Sequence, residues 1–487
     1  MNILNNIKLF VVTLMLWGGI SGCNSWLDVD LVNRVEEQDL FSKPEGFQKA
    51  LAAVYAGMAS SSLYGYQLTY GSLEVMGQLY DYSRLPSSWN YIKELDYQNS
   101  GVRSLTGGWW SKLYSTIESV NNILEWSEKN ASVMSEAELH QIRGEALGIR
   151  AYLFFDLVRL FAPDVKQNPN ALRIPYNTEF GVKLPPLYTT QKVVELILAD
   201  LIQAEKYLQQ DPIVGMKVFE LKDNVDDMPI RNSADKYVAR MNLYAVKALM
   251  SRIYLDMKDY TNARIKAREV IESGCFSLVN RTELITESKP ELKDMLFSDE
   301  HIFTLRNKNI PEDALNVCLT NNTETSDVTL PLTITYIGNY DASSTDIRWM
   351  EWFKEEDSGV QFLKYYKSKD NAKNYFPKVP LIRLSELYMI MAESYLEEDI
   401  NKAKDYVDTL RVSRIGETGK LSTFSEDAFI AEIRREFPGE GQLFFMYKRR
   451  NHAILRDGSL AGSIPASEKN FVMLIPDAEI ENGNVKQ

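Results

Sequence analysis

The sequence predicts a mostly α-helical fold: a tetratricopeptide-like body of paired helices that supports a loop-rich face and a few short strands. Three observations carry the prediction. Apolar residues recur at spacings of three and four through long stretches of the 487-residue chain. Two segments, 237–274 and 384–411, place small residues where the two helices of a repeat unit would cross. Strand-like stretches are scarce, "HIFTLR" at 301–306 and "VQFLKYY" near 360–366 being the clearest.

The first element is a leader. Leu9–Trp17 is an apolar run of about nine residues preceded by Lys8, far short of the roughly 20 apolar residues that a helix needs to span a bilayer. Its size and small-residue exit suit a secretory signal. Ile20-Ser21-Gly22-Cys23 resembles the lipobox of bacterial lipoproteins, in which the thiol is acylated and the chain is cut to make the cysteine the first residue. Residues 1–22 are therefore expected to be a lipoprotein signal peptide, with Cys23 the lipid attachment site. Two or more acyl chains anchor stably where one binds only marginally. Beyond residue 22 no Gly/Ser or Pro-rich linker and no low-complexity tract interrupts the chain. Residues 23–487 are read as one domain, and a composition of 45% hydrophobic and 11% aromatic residues allows a large core.

Helices follow in order. Residues 109–130 put Trp110, Leu113, Tyr114, Ile117, Val120, Asn121 and Leu124 on one face. Residues 136–161 do the same and stop before Pro163. Residues 189–210 open with the capping candidates Thr189 and Thr190 and carry Val193, Ile197, Leu201 and Ala204. In 237–274, Met250, Ser251, Tyr254, Ala263 and Ala267 fall at the spacings of a tetratricopeptide unit, with Asp259-Tyr260 at the turn. Ala392, Tyr395 and Ala403 repeat the theme in 384–411. About four such pairs are expected, elaborated by irregular insertions near 60–108 and 275–380, the second rich in Thr, Asn, Ser and Asp.

The insertions hold the candidate binding chemistry. Residues 64–100 contain Tyr64, Tyr66, Tyr70, Tyr80, Tyr82, Trp89, Tyr91 and Tyr97, twice what the chain's aromatic content would give, and no Phe. Rings with a polar tip suit a wet binding surface. A sugar's C–H face packs on such a ring while polar neighbours read its hydroxyls, and Asp81, Arg84 and Asn90 are interleaved. Most of these rings are expected to plug gaps between helices, leaving two or three outside. The candidate ligand-binding residues are Trp89, Tyr80, Tyr82, Asp81 and Asn90, with Tyr336 and Tyr340 in the second insertion. Pro86-Ser87-Ser88 should turn the chain just before Trp89 and hold its ring outward.

Charge and motifs exclude other classes. The net charge is −13, and loss of the leader with its single charge, Lys8, takes it to −14. Without a basic tract, such a body is repelled by a phosphate backbone, so no nucleic-acid partner is expected. Anionic lipid would repel it too, which leaves the anchoring to the acylated cysteine. Cys275 and Cys318 remain beyond Cys23, too few for a disulfide framework or a structural zinc site; whether they are bridged stays open. His140, His301 and His452 lie far apart, and HExxH, GxSxG and Walker A patterns are absent. Gly439-Glu440-Gly441 lacks the third glycine of a dinucleotide loop and follows a helix, so it reads as a cap and turn. No catalytic residue, metal or cofactor is expected.

Taken together, the motifs resemble the SusD/RagB family of nutrient-binding outer-membrane lipoproteins of Bacteroidetes. "CNSWLDV" (23–29) is similar to its lipidated start, "GWWSKLYSTIESVNNIL" (108–124) to its W…Y..I…N.IL helix, and "RGEALGIRAYLFFDLVRLFAP" (143–163) to its EA..RA segment. "LIRLSELYMIMAESYL" (381–396), "LRVSRIG" (410–416), "IRREFPGEGQLFFMYKRRN" (433–451) and "IPDAEIENGN" (475–484) match its R..E, R..R, ER..E…EG and IP..Ei..N elements in order. The sequence departs from the pattern at Phe444-Phe445, where the family has an acidic residue, and at its tail. The resemblance implies a lipid-anchored protein of the outer membrane, facing outward, that binds a nutrient and acts as lid of a SusC-like TonB-dependent barrel. The ligand it implies is an oligosaccharide or, as the alternative, a peptide. A surface lipoprotein hydrolase is the rival of a different class.

Overall fold

Most of the long helices start where a side chain satisfies free N–H groups. In this computed structural model, which describes residues 37–79, 89–181, 184–221, 232–288, 293–307, 345–356, 359–365, 378–456 and 459–482, ten helices of eight residues or more occur among the described residues. They are α1 (Pro44–Met58), α2 (Ser100–Lys129), α3 (Glu136–Phe161), α4 (Thr190–Tyr207), α5 (Leu243–Asp256), α6 (Tyr260–Ile271), α7 (Leu384–Tyr395), α8 (Ile400–Ile415), α9 (Glu426–Glu436) and α10 (Leu443–Arg450). Asn99, Ser135, Thr189, Asn242, Asp259, Asp399 and Ser425 cap α2–α6, α8 and α9. Ser135 and Glu138 form a reciprocal capping box. Proline opens α1, where a missing N–H costs nothing.

From α1 to α8 every long helix packs on the next in sequence. This is the neighbour-to-neighbour order of a helical repeat, with α1/α2, α3/α4, α5/α6 and α7/α8 as its pairs. The central helix α3 is buried on all sides from Gly144 to Phe161. Gly148 admits its neighbour: a Cβ there would sit 2.5 Å from Met241 Cγ. The predicted crossing in the α5/α6 pair is present, since Ser251 and Ala263 are both fully buried and Ser251 Oγ donates to the Ala263 carbonyl at 2.8 Å. Only small residues leave room for a contact that close.

Three antiparallel strand pairs complete the described structure. Strand β1 (His301–Arg306) pairs with β4 (Lys378–Arg383), β2 (Phe353–Glu356) with β3 (Gly359–Phe362), and β5 (Ile454–Arg456) with β6 (Ser459–Ile464). The β1–β4 pair, with Thr304 opposite Pro380, is buried almost throughout and packs against α5. One connected hydrophobic core runs from Phe41 to Ile475.

The structure differs from the sequence reading at several boundaries. Helix α2 starts at Ser100, nine residues before the periodic stretch, because Gly107 and Gly108 are tolerated inside it; each costs helix propensity and masks the period. The insertion expected near 60–108 therefore ends at 99. The 360–366 strand is confined to Gly359–Phe362 as the second arm of a hairpin. Cys275 is a buried free thiol whose pKa burial pushes up to about 12. Cys23, Tyr80, Asp81, Tyr82, Cys318, Tyr336 and Tyr340 lie outside the described residues.

Candidate functional site

The aromatic-rich segment divides into rings that fasten it and rings that face outward. Tyr64, Tyr70 and Tyr97 are buried. Their hydroxyls donate to Asp156 Oδ2 at 2.6 Å, the Gly65 carbonyl at 2.5 Å and the Asn470 carbonyl at 3.1 Å, so each polar tip has the partner that burial demands. Tyr66 is half-buried. Trp89 heads a single helical turn, Asn90–Lys93. Ile92, three residues on, is buried; Trp89 is half-buried against the core; Asn90 and Tyr91 are exposed, Tyr91 to 48%. Trp89, expected to stand outward, thus has an apolar neighbour at helical spacing. Helical spacing turns Trp89 and Ile92 toward the body and Asn90 and Tyr91 toward solvent, so the Trp89 ring stands only partly outward.

This turn is tied down at its C-terminal end. Fully buried Gln78, with a left-handed φ of 59°, donates from Nε2 to the Lys93 carbonyl at 2.7 Å. Arg456 on β5 donates to Glu94 at 2.5 Å. Asn90 and Tyr91 are therefore displayed from a fixed backbone, which lowers the ordering cost of recognition.

Beneath the aromatic segment, the Gly439-Glu440-Gly441 turn joins α9 to α10, as its sequence suggested. At Gly441, φ is +68° and a Cβ would lie 2.3 Å from the Leu68 carbonyl oxygen; only glycine fits. The Gly441 N–H donates to Glu74 Oε1 at 2.6 Å. Burial raises the Glu74 carboxyl to about 8, more than this bond and the nearby Lys364 charge can offset. Lys364, brought down to about 8 by burial, donates to Glu440 at 2.5 Å. Arg383 bridges Glu440, Glu300 and Glu436. Arg414 grips the same Glu300 and Glu436 at 2.7–3.0 Å. Arg348 joins Asp346, Glu432 and Glu436, while Arg411 and Arg435 hold Glu432. Burial works against ionised Glu436, but the surrounding Arg414, Arg383 and Arg348 keep it well below the usual carboxylate range.

The network's chemistry is positional. Asp346, Glu300, Glu432, Glu436 and Glu440 each face an arginine or a lysine, while Glu74 accepts from the Gly441 N–H. What the network does is fix the Gly-rich turn, α8, α9, β4 and the helix Ile347–Trp352 against one another, with the turn packed on Leu68, Leu73 and Glu74. Elsewhere, a cleft of about 740 Å³ lies between α1, the start of α3 and residues 235–240. Tyr55, Glu145, Arg240 and Asp211 hydrogen-bond in series beside it. Among the described residues no cluster of three or more His, Cys, Asp or Glu is placed to hold a metal ion, and no helix is long and apolar enough to cross a membrane.

A family model for SusD-like proteins, described as starch-binding and associating with the outer membrane, matches residues 25–217. Over that stretch the chain is similar to SusD-like proteins, in keeping with the motifs read from its sequence. SusD-like protein P38 of Formosa agariphila is 21% identical over 302 residues, 61% of this chain and 50% of P38, so the chain spans about half the length of that curated relative. Among solved structures, a SusD superfamily protein of Bacteroides thetaiotaomicron superposes with a TM-score of 0.70 at 23% identity, covering 91% of this chain and 99% of its own. A putative sugar-binding protein of Bacteroides vulgatus gives 0.71 at 20%, covering 91% and 98%. These structures share the fold of this chain. Its C-terminal motifs now have a physical role: the Arg and Glu residues of "LIRLSE", "LRVSRIG" and "EIRREFPGEG" supply most of the buried network. Sequence reading matched them as motifs and missed the network. Its signal was there in Arg411 and Arg414, and in Glu432 and Glu436, at one-turn spacing in helices that otherwise bury that face.

Proposed function

We propose that this SusD-like protein captures an oligosaccharide at the cell surface and serves as the lid of a TonB-dependent barrel transporter, tethered by acylated Cys23. The observation that carries the binding half is the Trp89–Tyr91 turn, which displays an exposed ring, a half-exposed ring and the exposed Asn90 amide from a braced backbone. A pyranose face stacks on such rings with modest ordering cost, and Asn90 offers both donor and acceptor to its hydroxyls. The family description and the names of the structural relatives support a sugar over a peptide. The mechanism is non-catalytic: rings stack, polar groups orient, and the lid delivers the bound ligand to its barrel. A lid needs a broad docking face, and the extended surface of stacked helix pairs offers one.

The test sets a glycan array beside a random peptide panel, each probed with the soluble chain lacking residues 1–23. Binding to neutral glycans that Trp89→Ala weakens supports the reading, and binding confined to peptides overturns its ligand half. Gentle detergent extraction of the native membrane should co-purify a large β-barrel. Recovery as a monomer after cross-linking overturns the lid.

A further inference from the structure

A second cleft, of about 630 Å³, opens between the C-terminal half of α2, α3, the end of α4 and the loop at 178–180. We propose that it is a separate carbohydrate-binding site on the helical body, taking one or two neutral sugar residues. Four observations carry this. The first is a built frame. The loop is pinned over α2 by Asn121 Nδ2, which donates to the Asn177 carbonyl at 3.1 Å, by the Asn177 amide on Glu118, and by the Gly181 N–H donating to Glu118 Oε2 at 3.3 Å. Asn121 is itself held by buried Arg150, whose other nitrogens grip Asp200 at 2.7 and 2.8 Å. The cleft is therefore set by buried polar contacts, and its volume lies within the roughly 300–1,000 Å³ usual for ligand sites.

The second observation is its rings. Phe180 is 39% exposed and Tyr207 half-buried, both lining the cleft, with Tyr207 steadied by His140 at a centroid distance of 5.0 Å. The third is unused hydrogen-bonding capacity. Among the described residues the side chains of Gln203, Thr178 and Glu128 and the Tyr207 hydroxyl have no hydrogen-bond partner. Arg143 uses Nε and Nη2 on Ser127, leaving Nη1 over. A lining that mixes donors and acceptors suits hydroxyls, which are both. The fourth is charge. Glu125, Glu128 and Glu179 line the cleft with Arg143 and with an Arg150 already neutralised by Asp200, so an anionic ligand is disfavoured and a neutral polyol is not.

The site is independent of the Trp89 surface, and the experiment separates them. Saturation-transfer NMR with a panel of neutral trisaccharides (gluco-, manno-, galacto- and xylo-configured) is run on the wild type and on Trp89→Ala, Tyr207→Ala and Gln203→Ala. Gln203 lies on a half-exposed helix face, so its truncation keeps the fold even if Tyr207→Ala does not. We expect at least one trisaccharide to keep binding in Trp89→Ala and to weaken about tenfold or more in Tyr207→Ala and Gln203→Ala. The proposal is overturned if no trisaccharide binds, or if every signal that survives Trp89→Ala is untouched by Gln203→Ala. Insensitivity of all binding to Trp89→Ala instead counts against the Trp89 surface and leaves this cleft standing.

Discussion

Replacing Arg414 with Met should cost far more stability than its distance from any surface suggests. The guanidinium is fully buried between Glu300 and Glu436, which are also fully buried. It donates to Glu300 at 2.7 and 2.9 Å and to Glu436 at 2.7 and 3.0 Å. Methionine fills much of the volume but leaves two buried carboxylates short of a cation. Removing one partner of a buried pair costs about 3–5 kcal/mol. Glu300 keeps Arg383 and the Val279 N–H, and Glu436 keeps Arg383 and Arg348, so the loss should fall near the lower end, about 3 kcal/mol. The control is Lys192→Met, whose pair with Glu195 is half-exposed at both ends and should cost at most about 1 kcal/mol. Urea unfolding at pH 7 of the soluble chain measures both. The double variant Arg414→Met/Glu436→Gln restores charge balance and should lose less than the sum of the two single changes. Equal, small losses for Arg414→Met and Lys192→Met would refute the view that this network holds the fold.

Other outcomes follow from the same geometry. Glu74, raised by burial to about 8 from the ordinary 4.5 of a glutamate, holds a proton in the folded state that the unfolded chain has released. Its contribution is fully present below 4.5 and falls as pH rises toward 8, so Glu74→Gln should gain melting temperature over the wild type between pH 5 and 8, and a constant difference would contradict this. Glu432 and Glu436 act in the opposite sense: held below their ordinary range by arginines that outweigh burial, they stabilise above it, and that part of the stability should disappear on acidification. Ser251→Leu at the α5/α6 crossing should destabilise by roughly 1–3 kcal/mol through overpacking, read by thermal melting. Trp89→Ala should weaken the cognate glycan by about 2 kcal/mol, with a stability loss well under the roughly 3–5 kcal/mol of a fully buried ring; calorimetric titration beside a melt tells them apart. Cys23→Ala should move the folded protein from membrane to soluble fraction, and retention in the membrane without a partner would exclude the lipid anchor.

Much of the architecture was legible from residue order because its causes are local. Thr189 announces a helix start through a hydrogen bond made within one turn, and Asp259-Tyr260 announces the turn between α5 and α6. The Ser251–Ala263 spacing announces a close crossing because only small side chains permit one. Legibility failed where a local preference was overruled: Gly107 and Gly108 read as a loop, yet they lie within a 30-residue helix whose flanking Val102, Thr106 and Trp109 are buried by the rest of the fold.

The sequence by itself determined the helical class, the repeat pairs, the lipobox-like start and the order of the family's motifs. Only the tertiary structure decided what those motifs do. Arg348, Arg383, Arg414, Glu300, Glu432 and Glu436 come from segments up to 136 positions apart, between Glu300 and Glu436, and charge pairing across such separations leaves no periodic trace. The same holds for Trp89. Its exposure depends on Ile92 finding the core and on Gln78 and Arg456 pinning the turn from elsewhere in the chain, contacts that exist once the body has folded around them.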